Sequence, residues 1–273
     1  MNQRTIVITG ASDGIGRAAA EALTRRPGTT VVLVGRNATK TAHVGQRLGV
    51  EHHVCDFARL GEVRALAARL LEAHPSIDVL ANNAGGVFAP RTVTPDGYET
   101  TLQVNHLAPL LLTQELLPAL RTGEGTVVFT ASRAAFQGSI DLRDLGKERG
   151  WTSFGAYGAA KLANIVTASA MQRRYASEGI NTASLHPGVV ATSFGSGAGA
   201  LVRFFYSSGL GKRVMRTPEQ GAETLVWLAT TKPGVDWHPG GYYADRRLTQ
   251  PPRQALDESF GDRFLEASEL LIR

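Results

Sequence analysis

A glycine-rich turn that joins a predicted strand to a predicted helix constrains the fold of this chain more than any other feature. Residues 4–9 (RTIVIT) form a β-branched run typical of a buried strand, and residues 17–23 (RAAAEAL) are strong helix formers. The turn between them carries three glycines, Gly10, Gly14 and Gly16. Glycines in this context permit a tight turn, let the backbone approach a pyrophosphate and let the helix pack closely on the strand, so the segment predicts a dinucleotide site at the helix start. Ser12 or Asp13 is expected to cap that helix.

The second predicted strand, residues 30–35, ends at Arg36, and this residue indicates which dinucleotide binds. At about 20 residues beyond such a glycine motif, a carboxylate binds the ribose 2′-hydroxyl of NAD, whereas an arginine suits the 2′-phosphate of NADP. No carboxylate neighbours Arg36, so we expect NADP(H) rather than NAD(H), with Arg17 as a second source of positive charge. The alternative is that Arg36 is a solvated loop residue.

Predicted strands and helices alternate along the chain, which favours an α/β fold with helices on both faces of a doubly wound parallel sheet. Seven strands are predicted, at residues 4–9, 30–35, 51–55, 77–81, 125–131, 180–186 and 241–243. The longest helices are expected near residues 96–120 and 154–178. Ligands of such sheets bind beyond the carboxyl ends of the strands. The residues that follow the strands would converge there: Gly10, Arg36, Asp56, Asn82 to Gly85, Ser132, and His186 to Gly188.

Tyr157 and Lys161 are four residues apart in a predicted helix, which places the phenol and the ammonium on one face. A nearby cation favours the phenolate and lowers the pKa of a tyrosine, so that the phenol can exchange a proton near neutral pH. The spacing also occurs by chance in many helices, and its weight comes from the rest of the chain.

The composition excludes several classes of protein. The chain has 273 residues, of which 43 % are hydrophobic, but no run approaches the ~18 consecutive apolar residues of a membrane span. The first strand begins so early that we expect no signal peptide. Cys55 is the single cysteine, which excludes an internal disulfide and favours a reducing, cytoplasmic location. It is expected to be a small buried apolar residue rather than a reactive thiol.

The formal net charge of +5 does not predict a nucleic-acid partner. Lysines and arginines are interleaved with acidic residues, so we attribute the excess to solvation and to attraction for a phosphate-rich cofactor. The seven histidines have no metal-ligand spacing, and the adjacent His52 and His53 would point to opposite faces of a strand. No metal site is expected.

Together these motifs resemble the short-chain dehydrogenase/reductase family, in the family's order and over most of the chain. They are Thr9 to Gly16, Asn82-Asn-Ala-Gly85, Asn105 in QVNHLA, Ser132 after the fifth strand, Tyr157 with Lys161, and His186-Pro-Gly188. Residues 96–99, 105–113 and 156–164 are similar to the retinol dehydrogenase-like branch, although Ala160 stands where a serine usually precedes the lysine and no N-terminal membrane anchor is expected. The resemblance implies one Rossmann-fold domain over residues 1–273.

The family's activity implies NADP(H)-dependent interconversion of a carbonyl and an alcohol by hydride transfer. Tyr157 would donate the proton, and Lys161 would lower the Tyr157 pKa and hold the nicotinamide ribose. Ser132 would stabilise the developing oxyanion, and Asn105 would support a water chain to Lys161. The implied cofactor contacts are Gly10, Ser12, Asp13, Gly14, Ile15, Gly16, Arg36, Asp56, Phe57, Asn83, Ala84, Gly85, Tyr157, Lys161, Pro187, Gly188, Val190 and Thr192. Asp56 would contact the adenine, unless it is a helix cap, and Thr192 the nicotinamide carboxamide.

Residues 189–216 match the family's substrate-covering segment in position and combine a glycine-rich stretch with three consecutive aromatic residues. The alternative is a loop with a short buried helix. The aromatic residues of this segment and the resemblance to the retinol dehydrogenase-like branch suggest a lipophilic substrate. It would be a retinoid, a steroid, a long-chain aldehyde or a polycyclic ketone. Reduction of an activated C=C bond and a dinucleotide-sensing regulator are the alternative functions. The helices at 96–120 and 154–178 are the family's usual pairing surface, so a homodimer or homotetramer is expected.

Overall fold

The computed structural model describes residues 3–190 and 216–273, and within them the strands form one sheet in the order β3-β2-β1-β4-β5-β6-β7-β8. The strands are β1 Arg4–Thr9, β2 Thr29–Gly35, β3 Glu51–Val54, β4 Val79–Asn82, β5 Thr126–Thr130, β6 Asn181–Leu185, β7 Tyr242–Ala244 and β8 Arg247–Leu248. The seven predicted strands are present, and neighbours from β3 to β7 pair in parallel. The order reverses between β1 and β4, which is the point where ligands bind in open sheets of this kind.

The predicted seven-stranded parallel sheet has one further strand at its edge, which the sequence did not predict. A short strand, β8, pairs antiparallel with β7 through Tyr243 and Ala244. The two residues of the connecting turn, Asp245 and Arg246, have φ of 53° and 59°. Positive φ at both central residues is typical of the tight hairpin turn, but that turn usually carries glycine, so this sequence offered little signal for it.

Helices within the described residues lie on both faces of the sheet. They are α1 Gly14–Thr24, α2 Ala38–Leu48, α3 Leu60–Ala73, α4 Thr100–Leu102, α5 Ala108–Glu115, α6 Leu117–Thr122, α7 Ser153–Tyr175, α8 Pro218–Thr230 and α9 Glu258–Leu271. Alternate β1 side chains point to opposite faces. Val7 joins a core with residues of α3, α5 and α7, whereas Ile6 and Ile8 join one with residues of α1 and α8.

The helix predicted over residues 96–120 is interrupted. Residues 96–99 precede it, α4 passes into a π-helical turn at Gln103–Leu107, and α5 ends before Leu117 begins α6. Pro109 and Pro118 stand in the first turns of α5 and α6. A proline has no N–H to donate within a helix, so each proline follows a break in the regular ladder.

The C-terminal helix α9 covers part of the surface formed by α5 and α7. Glu269 accepts hydrogen bonds from Gln114 at 2.8 Å and from Arg174 at 2.6 Å. Phe264 of α9 is fully buried against α7 residues. Pairing of two copies through α5 and α7 stays a prediction, and it would have to use the part of these helices that α9 leaves uncovered.

Candidate active site

The glycine turn is folded tightly between β1 and α1. Gly10 and Gly14 have φ of 66° and 51°, a region that favours glycine. A Cβ on Gly16 would collide with the carbonyl oxygen of Gly10, and one on Gly10 would lie 2.8 Å from Cα of Ala84. Asp13, rather than Ser12, caps α1, because its carboxylate accepts a hydrogen bond from the Gly14 N–H at 2.8 Å.

The first turn of α1 fits a pyrophosphate. The backbone N–H groups of Ile15 and Gly16 have no acceptor among the residues that the structure describes, and such groups at a helix start bind phosphate oxygens. The Ile15 side chain lies beside Val190, since a Cβ on Gly221 would touch both. Ser12 lies against Gly35, at the end of β2. These predicted contacts therefore surround one end of α1.

Asn83 and Ala84 are held against the end of β1. Thr9 Oγ1 accepts hydrogen bonds from the N–H groups of Asn83 and Ala84, both at 3.0 Å. The Asn83 side chain donates to the carbonyl oxygen of Thr9 at 3.0 Å. Its amide is thus engaged with the protein backbone, and a contact of Asn83 with the cofactor would have to come from its remaining atoms.

Arg36 projects from the carboxyl end of β2. The side chain is exposed and makes no hydrogen bond or ion pair with the described residues. Lys40, which sequence reasoning missed, lies one turn into α2 and pairs with Asp13 at 3.1 Å. The helix-forming pattern after Arg36 could have identified Lys40, because it places this cation in the first turn of the helix that follows β2.

Asp56 and Phe57 follow β3. The Asp56 carboxylate accepts a hydrogen bond from the Ala58 N–H at 3.1 Å and so stabilises the turn, but the N-cap of α3 is Arg59. The Phe57 side chain is in the core, and its carbonyl oxygen accepts from Gln103 at 3.1 Å. Phe57 could therefore reach a ligand only through its backbone N–H.

Asn105 lies in the π-helical turn, a type of distortion that is frequent at functional sites. Its Nδ2 donates to the carbonyl oxygens of Gly86 and Thr101, each at 2.9 Å, and its Oδ1 accepts from the Gly86 N–H at 3.0 Å. A Cβ on Gly85 would collide with Oδ1 of Asn105 and lie 3.0 Å from Nζ of Lys161. Asn105 thus holds the loop after β4 close to Lys161, and the water chain stays a prediction.

Tyr157 and Lys161 lie on the buried face of α7, 8 % and 2 % exposed. The Lys161 Nζ is 5.7 Å from the centroid of the Tyr157 ring and donates to the Thr130 carbonyl oxygen at 2.9 Å. Burial lowers the pKa of Lys161 from 10.5 to about 7. Both protonation states of this amine are therefore accessible near neutral pH, which suits proton transfer.

Ser132 lies two residues beyond the end of β5 and is half-buried. Its Oγ accepts a hydrogen bond from the Ala134 N–H at 3.2 Å and caps the short 3-10 helix Arg133–Gln137. An oxygen that accepts from the backbone keeps its own proton to donate. Ser132 can therefore donate to a ligand oxygen beside Tyr157, which packs with Ala134.

Pro187 and Gly188 follow β6, and Gly188 adopts φ of 80°. The Gly188 N–H donates to Nδ1 of His186 at 3.2 Å. Burial lowers the pKa of His186, and the charge of Arg133 adds to the effect. The His186 ring is thus held as a neutral acceptor that stabilises the turn.

The segment predicted to cover the substrate is bounded by two paired residues. Val190 forms a parallel bridge with Arg216, whose N–H donates to the Val189 carbonyl oxygen at 2.8 Å. Arg216 also forms an ion pair with Asp245. The two ends of the segment therefore meet beside the carboxyl end of β6. Residues 191–215, including Thr192, lie outside the described residues.

The sequence matches a family model. The model of the short chain dehydrogenases matches residues 4–200. The chain belongs to this family of short-chain dehydrogenases. No helix in the described part of this short-chain dehydrogenase is long and apolar enough to cross a membrane.

Curated relatives place this short-chain dehydrogenase in the retinol dehydrogenase-like branch. It is 44 % identical to "Putative daunorubicin C-13 ketoreductase DnrU" of Streptomyces sp. (strain C5), over 98 % of this chain and 92 % of that protein. It is 32 % identical to Retinol dehydrogenase 14 of Mus musculus, over 100 % of this chain and 86 % of that protein. The protein is thus an oxidoreductase of carbonyl and alcohol groups.

A solved structure shares both fold and moderate sequence identity. It is that of a "putative NAD(P) dependent gluconate 5-dehydrogenase" from Beutenbergia cavernae with bound NADP. The two chains are 27 % identical with a TM-score of 0.66, over 84 % of this chain and 90 % of the other.

Proposed function

We propose that this short-chain dehydrogenase is an NADP(H)-dependent ketoreductase that interconverts a ketone and an alcohol on a lipophilic, polycyclic small molecule. The observation that carries the proposal is the buried Lys161, which lies beneath the ring of Tyr157 and close to Gly85 at the carboxyl edge of the sheet. An amine with this environment can assist a phenol in giving up its proton.

In the direction of reduction, the substrate carbonyl oxygen lies between Ser132 and Tyr157. The reduced nicotinamide, when bound, supplies the hydride that the carbonyl carbon accepts. As negative charge develops on the oxygen, the Ser132 hydroxyl donates a hydrogen bond to it. Tyr157 gives the oxygen its phenolic proton, and Lys161 stabilises the phenolate that remains. In the direction of oxidation, the same groups act in reverse.

The preference for NADP(H) is supported by the charges around the end of β2. Arg36 is an exposed cation without a partner among the described residues, and Lys40, in the first turn of α2, adds a second cation after β2. An arginine at this position suits the 2′-phosphate of NADP. The carboxylate of Asp13 already pairs with Lys40 and accepts a hydrogen bond from the Gly14 N–H. It is therefore not the acceptor that a ribose hydroxyl of NAD would need.

The substrate class is supported by an exposed aromatic side chain in the short helix that Ser132 caps, and by the relatives. Phe136 is 55 % exposed and lies 6.4 Å from the ring of Tyr242, measured between centroids. An exposed aromatic ring beside a catalytic edge suits an apolar substrate. The Streptomyces relative carries the name of a ketoreductase of daunorubicin, which is why we favour a polycyclic ketone over a retinoid or an aliphatic aldehyde. Residues 189–216 are proposed to cover such a substrate.

A panel of carbonyl compounds tests the proposal. Oxidation of NADPH would be followed by absorbance against polycyclic ketones, retinal, aliphatic aldehydes, quinones and enones, with NADH in parallel. We expect the highest kcat/KM with a polycyclic ketone and NADPH. Turnover of enones alone would replace the ketoreductase by a C=C reductase. Tight NADPH binding without turnover of any compound would favour a dinucleotide sensor instead.

A further inference from the structure

His106 is a buried histidine that the proposed reaction does not use. It is 0 % exposed, and its ring stacks on Phe264 of α9 with 5.0 Å between centroids. Its Nε2 lies 3.0 Å from Oγ of Ser268, also on α9. A fully buried imidazole needs a partner for each ring nitrogen, because an unpaired polar atom in the interior is costly.

Asn164 is buried one turn beyond Lys161 on α7 and shares an acceptor with it. The Asn164 Nδ2 donates to the carbonyl oxygen of Thr130 at 3.2 Å, and the Lys161 Nζ donates to the same oxygen at 2.9 Å. A carbonyl oxygen has two lone pairs. The two side chains therefore use the full acceptor capacity of Thr130, at the end of the strand that leads to Ser132.

His106 and Asn164 each have one further polar atom in the interior of the protein. Nδ1 of His106 and Oδ1 of Asn164 are both buried, and neither has a hydrogen-bond partner among the described residues. Burial lowers the pKa of His106 to about 4, and the nearby Asn164 side chain opposes that change. A hydrogen bond between the two atoms would satisfy both. His106 is thus neutral at physiological pH and carries one ring proton, which one nitrogen must hold.

The chemistry of the acceptors decides which nitrogen holds the proton. The Thr130 carbonyl can only accept, so Asn164 must turn its Nδ2 towards Thr130 and its Oδ1 towards His106. Oδ1 can only accept as well, so a hydrogen bond between these two side chains requires the proton of His106 to be on Nδ1. Nε2 then lacks a proton and accepts from the Ser268 hydroxyl. With that bond formed, the donors from Ser268 to Thr130 all point in one direction.

We propose that His106 Nδ1 donates to Asn164 Oδ1, that the two side chains are thereby positioning residues for Lys161, and that the Ser268 hydroxyl of the C-terminal helix donates to the other ring nitrogen. The proposal rests on the proposed function, because Lys161 is the group that is positioned. Without the His106 donor, the Asn164 amide is free to rotate and to present Oδ1 to Lys161 and Thr130. The Thr130 carbonyl then loses one of its two donors, and the lysine loses its fixed distance from Tyr157.

The tautomer can be measured without any substrate. Protein labelled with 15N-histidine gives a long-range 1H–15N spectrum in which the protonated nitrogen of each neutral ring is identified, and His106→Asn assigns the signals of His106. We expect His106 to be neutral at pH ~7 with its proton on Nδ1, the less common tautomer of histidine in water. A proton on Nε2, or a charged ring, would overturn the proposal. This measurement decides the proposal even if the protein reduces no carbonyl, an outcome that would refute only the proposed function.

Two substitutions of His106 separate positioning from simple packing. In His106→Asn the amide nitrogen replaces Nδ1 and can still donate to Asn164, whereas in His106→Gln the amide reaches the place of Nε2 and keeps only the contact with Ser268. We expect kcat to fall about tenfold in His106→Gln, for the loss of one buried hydrogen bond, and to stay within about threefold in His106→Asn. KM for NADPH should change little in either variant.

Thr167→Val is the matched control. Thr167 is also fully buried on α7, but its hydroxyl has no hydrogen-bond partner in the described residues. The control should keep the wild-type kcat. Equal kcat values for His106→Asn and His106→Gln, at equal thermal stability, would show that His106 only fills space and would contradict the positioning role.

Discussion

The amine nitrogen of Lys161 lies 2.9 Å from the carbonyl oxygen of Thr130, which joins the middle of helix α7 to the last residue of strand β5. Thr130 lies two residues before Ser132 along the chain, so this hydrogen bond holds the lysine beside the segment that carries Ser132. The lysine also lies beneath the ring of Tyr157. No carboxylate of the described residues pairs with the amine, and burial accounts for its lowered pKa. The predictions below follow from this arrangement and from its surroundings.

The lowered pKa of Lys161 predicts how the stability of the cofactor-free protein depends on pH. Below pH about 7 the lysine holds its proton in both states, and the folded protein bears the full cost of burying the charge. Between about 7 and 10.5 the unfolded chain binds the proton that the folded chain has lost, so the free energy of unfolding rises with pH, at a limiting slope of about 1.4 kcal/mol per unit.

Urea denaturation at several pH values measures this dependence. The free energy of unfolding of wild type should rise relative to that of Lys161→Met as the pH rises above about 7, because methionine has no proton to lose. Lys232→Met, at an exposed position, is the control and should run parallel to wild type. Parallel curves for Lys161→Met as well would show that the buried lysine is not the group that titrates.

Removal of the phenolic hydroxyl should abolish the chemical step and spare cofactor binding. In Tyr157→Phe we expect kcat to fall by about a hundredfold or more, the typical contribution of a positioned proton donor. The dissociation constant for NADPH, measured by cofactor fluorescence, should stay within about threefold. Tyr175→Phe, at the other end of α7, keeps the same helix and should retain full turnover. Turnover that survives in Tyr157→Phe would refute the proton-donor role.

A methyl group at position 85 should disturb Asn105 and Lys161 together. In Gly85→Ala the added Cβ collides with Oδ1 of Asn105 and comes within 3.0 Å of Lys161 Nζ, so we expect a fall in kcat of about tenfold or more. Gly61→Ala, in α3, meets no atom within 4 Å and should leave kcat unchanged while stabilising the helix slightly. Full activity of Gly85→Ala would mean that the loop after β4 adjusts without cost.

Reversal of the charge at position 36 should discriminate between the two dinucleotides. We expect Arg36→Asp to raise KM for NADPH by about ten- to a hundredfold, the worth of a charged hydrogen bond, and to change KM for NADH much less. Arg26→Asp makes the same change of charge at an exposed position near the opposite end of α1 and is the control. An equal effect of Arg36→Asp on both cofactors would exclude Arg36 as the 2′-phosphate ligand.

Local patterns in the sequence determined the strands, the glycine turn and the identity of the reacting side chains. The seven parallel strands are β-branched runs separated by helix-forming segments, and their bounds agree within about two residues with those of the structure. Tyr157 and Lys161 share a face of α7 because four residues make about one turn. Such features depend on residues that are close in sequence, so the sequence alone carries them.

Contacts between residues that are far apart in sequence were decided only by the tertiary structure. Three such contacts join segments separated by 19 to 162 residues. They are the hydrogen bond of Lys161 to Thr130, the hold of Asn105 on the loop after β4, and the burial of His106 against α9. The π-helical turn and the eighth strand also escaped prediction, since a proline in a helix and an Asp-Arg turn each permit more than one local conformation. Packing around the sheet selects among these conformations, because each buried polar atom must find its partner wherever the fold provides one.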